Sequence, residues 1–477
     1  MNTAKNLNQF FNISIRNERY SLAEFSLCEV YVDSHKVEIK DLSESGFSVL
    51  SKTQLDAGLE HVFSIKFNKS ELATLKCRIV RGSKEGNSYL YGFRFVDEML
   101  PENFVQNIIL SFEVSKEVES ERETSEVLNP EFLITCAKLQ NYLMILKDKC
   151  EAFEKVNYIQ SLEAKNASLQ IALKVFGEPA IEQIKKYAHT LDAALKNIEN
   201  KNTRKVYGDY FRKHLGDYFV DASFTGRAFF KPRGYAGDYE MMNQIYRNVA
   251  EGQTLFEKII HLYGINEASS VSVRLRKEYL KRKLKNLLKQ SVSTGQKMTV
   301  GTLACGPARE ILEFLSEENP EHLKNFTFVL MDQDHHALLN SRRNILKVVT
   351  QRELTCEVYF LPLSVKQILD DSEESEVLKA VNFDLLYTAG LYDYLTQPVA
   401  KNLTTKISKS VVTGGELIIG NFHPDNPTKT ISDLVADWRL IHRNKEQMAD
   451  LISAADFKKS EFYLDEIGID LFIEAYK

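Results

Sequence analysis

Apolar residues along this chain change their spacing twice. Between residues 23 and 97 they alternate with polar ones in the short runs SLCEVYV, HKVEIKDL, HVFSIKF, TLKCRIVRG and SYLYGFRFV, separated by SESG, DAG and SKEGNS. A period of two over runs of this length predicts strands, and turns at such short intervals predict a small antiparallel barrel or sandwich. From 131 to 290 the period becomes helical. Ile184, Tyr187, Leu191, Ala194 and Ile198 are three, four, three and four residues apart and fall on one stripe. Such a stripe serves intramolecular packing, or a homodimer or domain interface through this helical region. The charged segment EVSKEVESERETSEVLNPE belongs to a linker or solvated helix, placed at 101–130.

After Gln290 the pattern alternates again, now between strand and helix. KMTVGTLAC, FTFVLMD, CEVYFLPL, FDLLYTAG and GELIIGNF read as strands, with PAREILEFLSE and QDHHALLNSRRNILKVV as the first intervening helices. The chain closes on SEFYLDEIGIDLFIEAYK, two strands turning at Glu466–Gly468. Strands alternating with helices predict a parallel sheet, and the hairpin adds an antiparallel edge. Residues 291–477 are therefore expected to form a seven-stranded, doubly wound α/β Rossmann-like domain. The chain as a whole is expected to be multidomain: a barrel at 16–100, a linker, a helical region at 131–290 and this α/β domain.

Composition narrows the function classes. The 477 residues exceed one ordinary core. A net charge of -5 gives no global field for nucleic acid. No stretch approaches 18 uninterrupted apolar residues, and the first residues lack the apolar run of a signal peptide, so neither a membrane span nor secretion is expected. The six cysteines are scattered without C-x-x-C pairing, which argues against a metal site and fits a reducing cytoplasm.

The chemistry is expected at the first strand-to-helix turn of the α/β domain. Ala304, Cys305, Gly306, Pro307 and Ala308 leave an apolar strand and open a helix at a parallel sheet's carboxyl edge, where doubly wound folds bind ligands. Gly306 lets backbone approach a ligand, and Pro307 suits a helix's first turn. The next strand ends at Asp332, 26 residues later, where a carboxylate can accept from both hydroxyls of a ribose; Asp334 is the expected cap of the helix that follows. A dinucleotide would require the glycine triplet that meets a pyrophosphate, and it is missing. S-adenosylmethionine has no phosphate. The segment resembles class I methyltransferases. That resemblance implies S-adenosylmethionine as cofactor, with Ala304, Cys305, Gly306 and Pro307 as the first motif. It implies Asp332 and Gln333 at the ribose, Leu363, Ser364 and Val365 at the adenine, and Thr388, Ala389 and Gly390 at the reactive face.

Aromatic and ionisable residues cluster around the same edge. They lie in F-F-K-P-R-G-Y-A-G-D-Y-E-M-M-N (229–243), G-L-Y-D-Y-L (390–395), N-F-H-P-D (421–425) and D-W-R-L-I-H-R (437–443). Tyr235, Asp238, Tyr239, Tyr392, Tyr394 and Arg439 are the candidate acceptor-binding residues. His423 is the candidate base, with Tyr235 and Arg233 as further catalytic candidates; Arg233, Arg439 and Arg443 are suited to an anionic acceptor or to structural ion pairs. The phrases G-Y-A-G-D-Y, A-G-L-Y-D-Y-L and G-N-F-H-P resemble bacterial proteins labelled as 3-hydroxypalmitic acid methyl ester biosynthesis proteins. This resemblance implies carboxyl O-methylation of a 3-hydroxy fatty acid, a quorum-sensing signal. The basic helix from Arg274 to Lys285 is expected either to cap the catalytic domain or to lie on an anionic membrane.

In the N-terminal module, Asp41, Ser43 and Gly46 form a D-x-S-x-x-G turn, and Tyr91-Gly92-Phe93-Arg94-Phe95 ends a strand. Both resemble the PilZ domain, a cyclic di-GMP receptor. The family's R-x-x-x-R motif corresponds to Arg16 and Arg19, here spaced by three. A regulatory receptor and a degenerate interaction module for a protein partner both remain open. So do two readings of the whole: a small-molecule methyltransferase under control of the barrel, and a catalytically degenerate signalling scaffold linked to cyclic di-GMP.

Overall fold

A computed structural model describes residues 20–21, 28–67, 70–101, 127–157, 162–198 and 200–477, with scattered positions between 104 and 119. The chain divides into two compact units, 1–126 and 127–477. Arg16 and Arg19 lie outside the described residues.

The first unit is a closed antiparallel barrel. Its strands are β1 (Cys28–Val32), β2 (His35–Ser43), β3 (Gly46–Ser51), β4 (Glu60–Phe67), β5 (Ser70–Glu85) and β6 (Ser88–Phe95). They run in the order β2-β1-β4-β5-β6-β3, and β3 pairs back with β2. That pairing closes the ring of six, and a two-residue strand at Tyr20–Ser21 adds to β2. Alternate residues point inward, so Val30, Val32, Phe47, Val49, Phe63 and Phe93 form the core, with Phe47 and Phe93 stacked 4.7 Å apart. The β2–β3 turn is the D-x-S-x-x-G segment. The Ser43 hydroxyl donates to the Gly46 carbonyl at 2.9 Å, and that of Ser48 donates to Asp41 at 2.6 Å. A Cβ on Gly46 would lie 2.2 Å from the Phe93 carbonyl oxygen, so the turn closes only on glycine.

The second unit begins with helices α1 (Pro130–Val156), α2 (Glu178–Leu195), α3 (Lys201–Val220), α4 (Ser223–Phe230), α5 (Tyr239–Arg247), α6 (Leu255–Ile265) and α7 (Ala268–Thr294). A helix over Leu162–Ala172 runs through a π turn into α2. The sheet follows: β7 (Met298–Leu303), β8 (Phe326–Asp332), β9 (Glu357–Pro362), β10 (Phe383–Ala389), β11 (Val411–Phe422), β12 (Lys459–Leu464) and β13 (Asp470–Tyr476). Its order is β9-β8-β7-β10-β11-β13-β12. The first five strands are parallel, and β13 is antiparallel to both neighbours. The connecting helices used below are α8 (Arg309–Glu317), α9 (His335–Gln351), α10 (Gln397–Ile407), α11 (Lys429–Ala436) and α12 (Lys445–Ile452).

Central strands read as unbroken apolar runs because both faces are covered. One face packs against α7, α8 and α9 through Leu284, Phe314 and Ile345. The other packs against α10 and α12 through Leu403 and Met448. Ile184 and Leu191 of the helical stripe are buried, and Tyr187, Ala194 and Ile198 pack beside them. The stripe is thus consumed inside the unit, which removes the basis for a dimer through it. The same cluster contains Ile431, Leu434 and Val435 of α11, so the helices before the sheet share one core with a helix that connects two of its strands.

The basic helix α7 turns its apolar side inward, and its lysines meet carboxylates. Lys277 and Lys281 bond Glu313 at 2.9 and 3.0 Å, while Lys283 bonds Glu416 and Glu474 at 2.7 and 2.5 Å. These pairs engage three of its lysines within the unit. Among the described residues no helix is long and apolar enough to cross a membrane.

Candidate active site

The turn after β7 takes an unusual backbone path. Ala304, Gly306 and Ala308 have φ of 55°, 52° and 44°, a region that costs an alanine about 1–2 kcal/mol relative to right-handed backbone. Surrounding bonds hold it there. Cys305 N donates to the Met331 carbonyl at 3.0 Å, Gly306 N to Asp332 Oδ2 at 2.8 Å, and the Ser341 hydroxyl to the Gly306 carbonyl at 2.6 Å. Asp334 N donates to Asp332 Oδ1 at 2.8 Å. Asp332 thereby ties the first turn to the second, and burial raises its carboxyl pKa above the usual range. A Cβ added to Gly306 would meet no heavy atom within 4 Å; the backbone there is bare to the space a ligand would fill. Helix α8 starts only at Arg309, because left-handed Ala308 precedes it. Pro307 therefore sits in the turn and not, as its residue type suggests, in the helix's first turn. Asp334 does cap α9, accepting from His336 N at 2.9 Å.

This turn opens on a cavity of about 400 Å³. Ala304, Cys305, Gly306, Pro307, Asp332, Gln333, Leu363, Val365, Ala389 and Gly390 line one part of it. The remainder is an apolar chamber walled by Phe224 and Ala228 of α4, Met242 and Ile245 of α5, Val273 of α7, Ile431 and Val435 of α11, and Phe422. The volume falls within the range of small-molecule sites.

Three segments singled out in the sequence meet at its mouth. The Tyr394 hydroxyl donates to the Ala236 carbonyl at 2.8 Å and accepts from Trp438 Nε1 at 3.2 Å. Tyr235, which lines the cavity, donates to Asp334 Oδ2 at 3.2 Å; burial, then the acids beside it, raise its hydroxyl pKa well above normal. Tyr239 and Tyr394 also line the cavity.

Other candidates have structural employment. Ser364 caps the short helix Val365–Leu369. Thr388 is buried one strand position before the lining residue Ala389. Asp238 caps α5 and pairs with Arg227 at 2.8 Å. Tyr392 is buried against the Thr404 hydroxyl at 2.8 Å. Arg439 pairs with Asp433 and Asp437 at 2.7 and 3.2 Å. Arg443 is fully buried and bonds the Tyr392 carbonyl, Asn421 and Gln397 at 2.6–2.8 Å. Arg233 lies over the Tyr239 ring, 4.8 Å from its centroid, and 3.7 Å from Asp334. His423 Nδ1 accepts from Asp425 N at 3.3 Å; the cavity is lined by its neighbour Phe422 instead.

Several ionisable lining residues were not among the candidates named from the sequence, Arg276, Glu310 and Asp393 among them. Burial raises the Glu310 carboxyl, which accepts from the Tyr387 hydroxyl at 2.6 Å. Burial pushes Asp393 up to about 6, and its Oδ1 accepts from Phe422 N at 2.8 Å. A signal for Arg276 existed, since it shares helical spacing with buried Val273, Leu280 and Leu284.

A cavity at the carboxyl edge of a doubly wound sheet, with an acid ending the second strand, defines a nucleoside-binding α/β enzyme site. The chain belongs to the family described as "Putative methyltransferase", whose model matches residues 233–473. The PilZ domain model matches residues 16–111. Among solved structures, a "possible exported protein" from Bordetella parapertussis is 14% identical, covering 63% of this chain and 96% of its own, with a TM-score of 0.39. The magnesium protoporphyrin IX methyltransferase of Synechocystis, solved with S-adenosylhomocysteine, is 10% identical over 56% of this chain and 98% of its own, with a TM-score of 0.34. The N-methyltransferase NodS of Bradyrhizobium japonicum is 14% identical over 44% of this chain and 88% of its own, with a TM-score of 0.28. No curated protein matches the chain.

Proposed function

We propose that this methyltransferase uses S-adenosylmethionine to methylate the carboxyl group of a small apolar acid, a 3-hydroxy fatty acid being the acceptor its sequence resemblance suggests. The observation that carries the reading is the continuity of the cavity, from the bare Gly306 backbone and Asp332 into an apolar chamber. S-adenosylmethionine supplies an electrophilic methyl group on a sulfonium sulfur. The chain's own part is to bind, align and exclude water. Asp332 accepts from ribose hydroxyls, Leu363 and Val365 give apolar contact to the adenine, and Gly390 lies at the end of the strand nearest the transfer. Phe422, Tyr394 and Trp438 present aromatic faces suited to a cation. A carboxylate acceptor needs no general base, which agrees with the placement of His423 outside the lining. For a hydroxyl or amine acceptor, the second reading, Asp393 is the carboxylate in place to take the proton, with its pKa near 6.

The barrel serves as the regulatory module, with cyclic di-GMP or a protein partner as its ligand; the Asp41–Gly46 turn supports this. The competing scaffold reading predicts folded protein without turnover.

The test is calorimetric titration of S-adenosylhomocysteine into wild type and Asp332→Ala. Losing a carboxylate that holds two hydroxyls should weaken binding at least about tenfold. Unchanged affinity would sink the pocket. Transfer of labelled methyl from the cofactor to extracted small acids separates enzyme from scaffold.

A further inference from the structure

One charge in the chamber wall is only loosely paired. Arg276 of α7 is 8% exposed and faces the cavity from an otherwise apolar stripe. Stripping water from a guanidinium is costly unless charged, hydrogen-bonding groups replace it. The carboxylate paired with it, Asp470 of β13, stands 3.6 Å away, beyond a good hydrogen bond. Both Asp470 oxygens are buried without a hydrogen-bond partner. Burial pushes that carboxyl up to about 8 against the pull of the guanidinium, so the charged pair is a weak one.

The other titratable groups around Arg276 are Tyr246, a neutral hydroxyl that interacts with the guanidinium as a hydrogen-bond partner, and Asp393 and Glu310. Asp393 and Glu310 are already engaged, by Phe422 N and by the Tyr387 hydroxyl. Arg276 also borders the end of β10: a Cβ placed on Gly390 would lie 3.0 Å from one terminal guanidinium nitrogen.

From this geometry we propose that Arg276 is the carboxylate-binding residue of the chamber, holding both oxygens of a ligand carboxylate beside Gly390. The inference rests on reading the cavity as the methyl-transfer site. Two ligands bring this chemistry there: the amino-acid end of the cofactor and an acidic acceptor. A planar fork matches either carboxylate, and its worth rises in an apolar enclosure.

The full-length chain is titrated by calorimetry with S-adenosylhomocysteine, with methylthioadenosine, which has the nucleoside without the amino acid, and with decanoate and decanol. If the cofactor is held, Arg276→Gln weakens S-adenosylhomocysteine about tenfold or more and leaves methylthioadenosine unchanged. If the acceptor is held, Arg276→Gln leaves S-adenosylhomocysteine unchanged and abolishes the preference of the cofactor-bound protein for decanoate over decanol. Unaltered binding of both carboxylates by Arg276→Gln overturns the assignment alone. Failure of wild type to bind S-adenosylhomocysteine overturns the cavity reading beneath it.

Asp470→Asn provides a test that keeps Arg276 and does not depend on the fold of the first variant. As pH rises past about 8, Asp470 ionises and competes for the guanidinium, with Asp393 and Asp465 as its own acidic neighbours. Carboxylate-ligand affinity should therefore fall with pH in wild type and hold in Asp470→Asn. Identical pH profiles for the two proteins would overturn the proposal.

Discussion

The first turn of the α/β domain shows how a motif can be present in backbone and nearly absent in letters. Left-handed φ at Ala304, Gly306 and Ala308 is the conformation glycines ordinarily supply; here two alanines adopt it because Asp332, Met331 and Ser341 hold the turn from outside. The alanines pay for that conformation in strain. Ala304→Gly should raise stability by about 0.5–1 kcal/mol, the relief of left-handed strain less the glycine's extra freedom in the unfolded chain. Thermal denaturation measures it, and a lowered midpoint would mean that the Ala304 methyl group packs to more effect than its backbone strains. Asp332 was legible because an acid ending an apolar strand has few other meanings. Arg276, Glu310 and Asp393 were not, since a cavity is assembled from residues far apart in the chain. An arginine inside a basic helix reads as solvated until packing shows which side of the helix it occupies.

At the scale of elements, alternation was the reliable guide. It marked the five parallel strands, the closing hairpin and the strands of the barrel, since each buries one face or both. It did not show which loop residues face the cavity: His423 and Phe422 are adjacent, and only Phe422 lines it. The G-Y-A-G-D-Y loop was recognisable from its composition, and its geometry now explains one glycine. Gly237 has a φ of 76°, and a Cβ there would lie 2.6 Å from the Trp438 ring and 2.8 Å from the Tyr394 hydroxyl. Gly237→Ala must lift the loop off these two side chains at a cost of about 1–3 kcal/mol. Because Trp438 is the chain's single tryptophan, intrinsic fluorescence reports the displacement directly. The emission should shift to the red as water enters, while S-adenosylhomocysteine affinity stays within about twofold, a change worth under half a kcal/mol. An unshifted spectrum would show that the loop accommodates the methyl group without leaving the tryptophan.

At the scale of the molecule, the division at residue 126 and the shared core of the second unit carry a thermodynamic consequence. Helices α1, α2, α3 and α6 bury Phe132, Ile184, Phe211 and Ile259 in one cluster with α11 residues Ile431 and Leu434, so the helical region and the sheet are expected to unfold together. The barrel has its own core of Val32, Phe47 and Phe63. Calorimetry should therefore resolve two transitions, the larger from 127–477. S-adenosylhomocysteine at a hundred times its Kd should add about 2.7 kcal/mol to the larger one. Regulation by the barrel imposes a stricter condition, because coupling between two ligands is reciprocal. If cyclic di-GMP changes the affinity for S-adenosylhomocysteine by some factor, S-adenosylhomocysteine must change the affinity for cyclic di-GMP by the same factor. Paired titrations, each ligand measured with the other saturating, supply both numbers. Equal factors different from one establish a regulatory domain; a factor of one in both directions, with cyclic di-GMP bound, leaves the barrel a receptor uncoupled from cofactor binding.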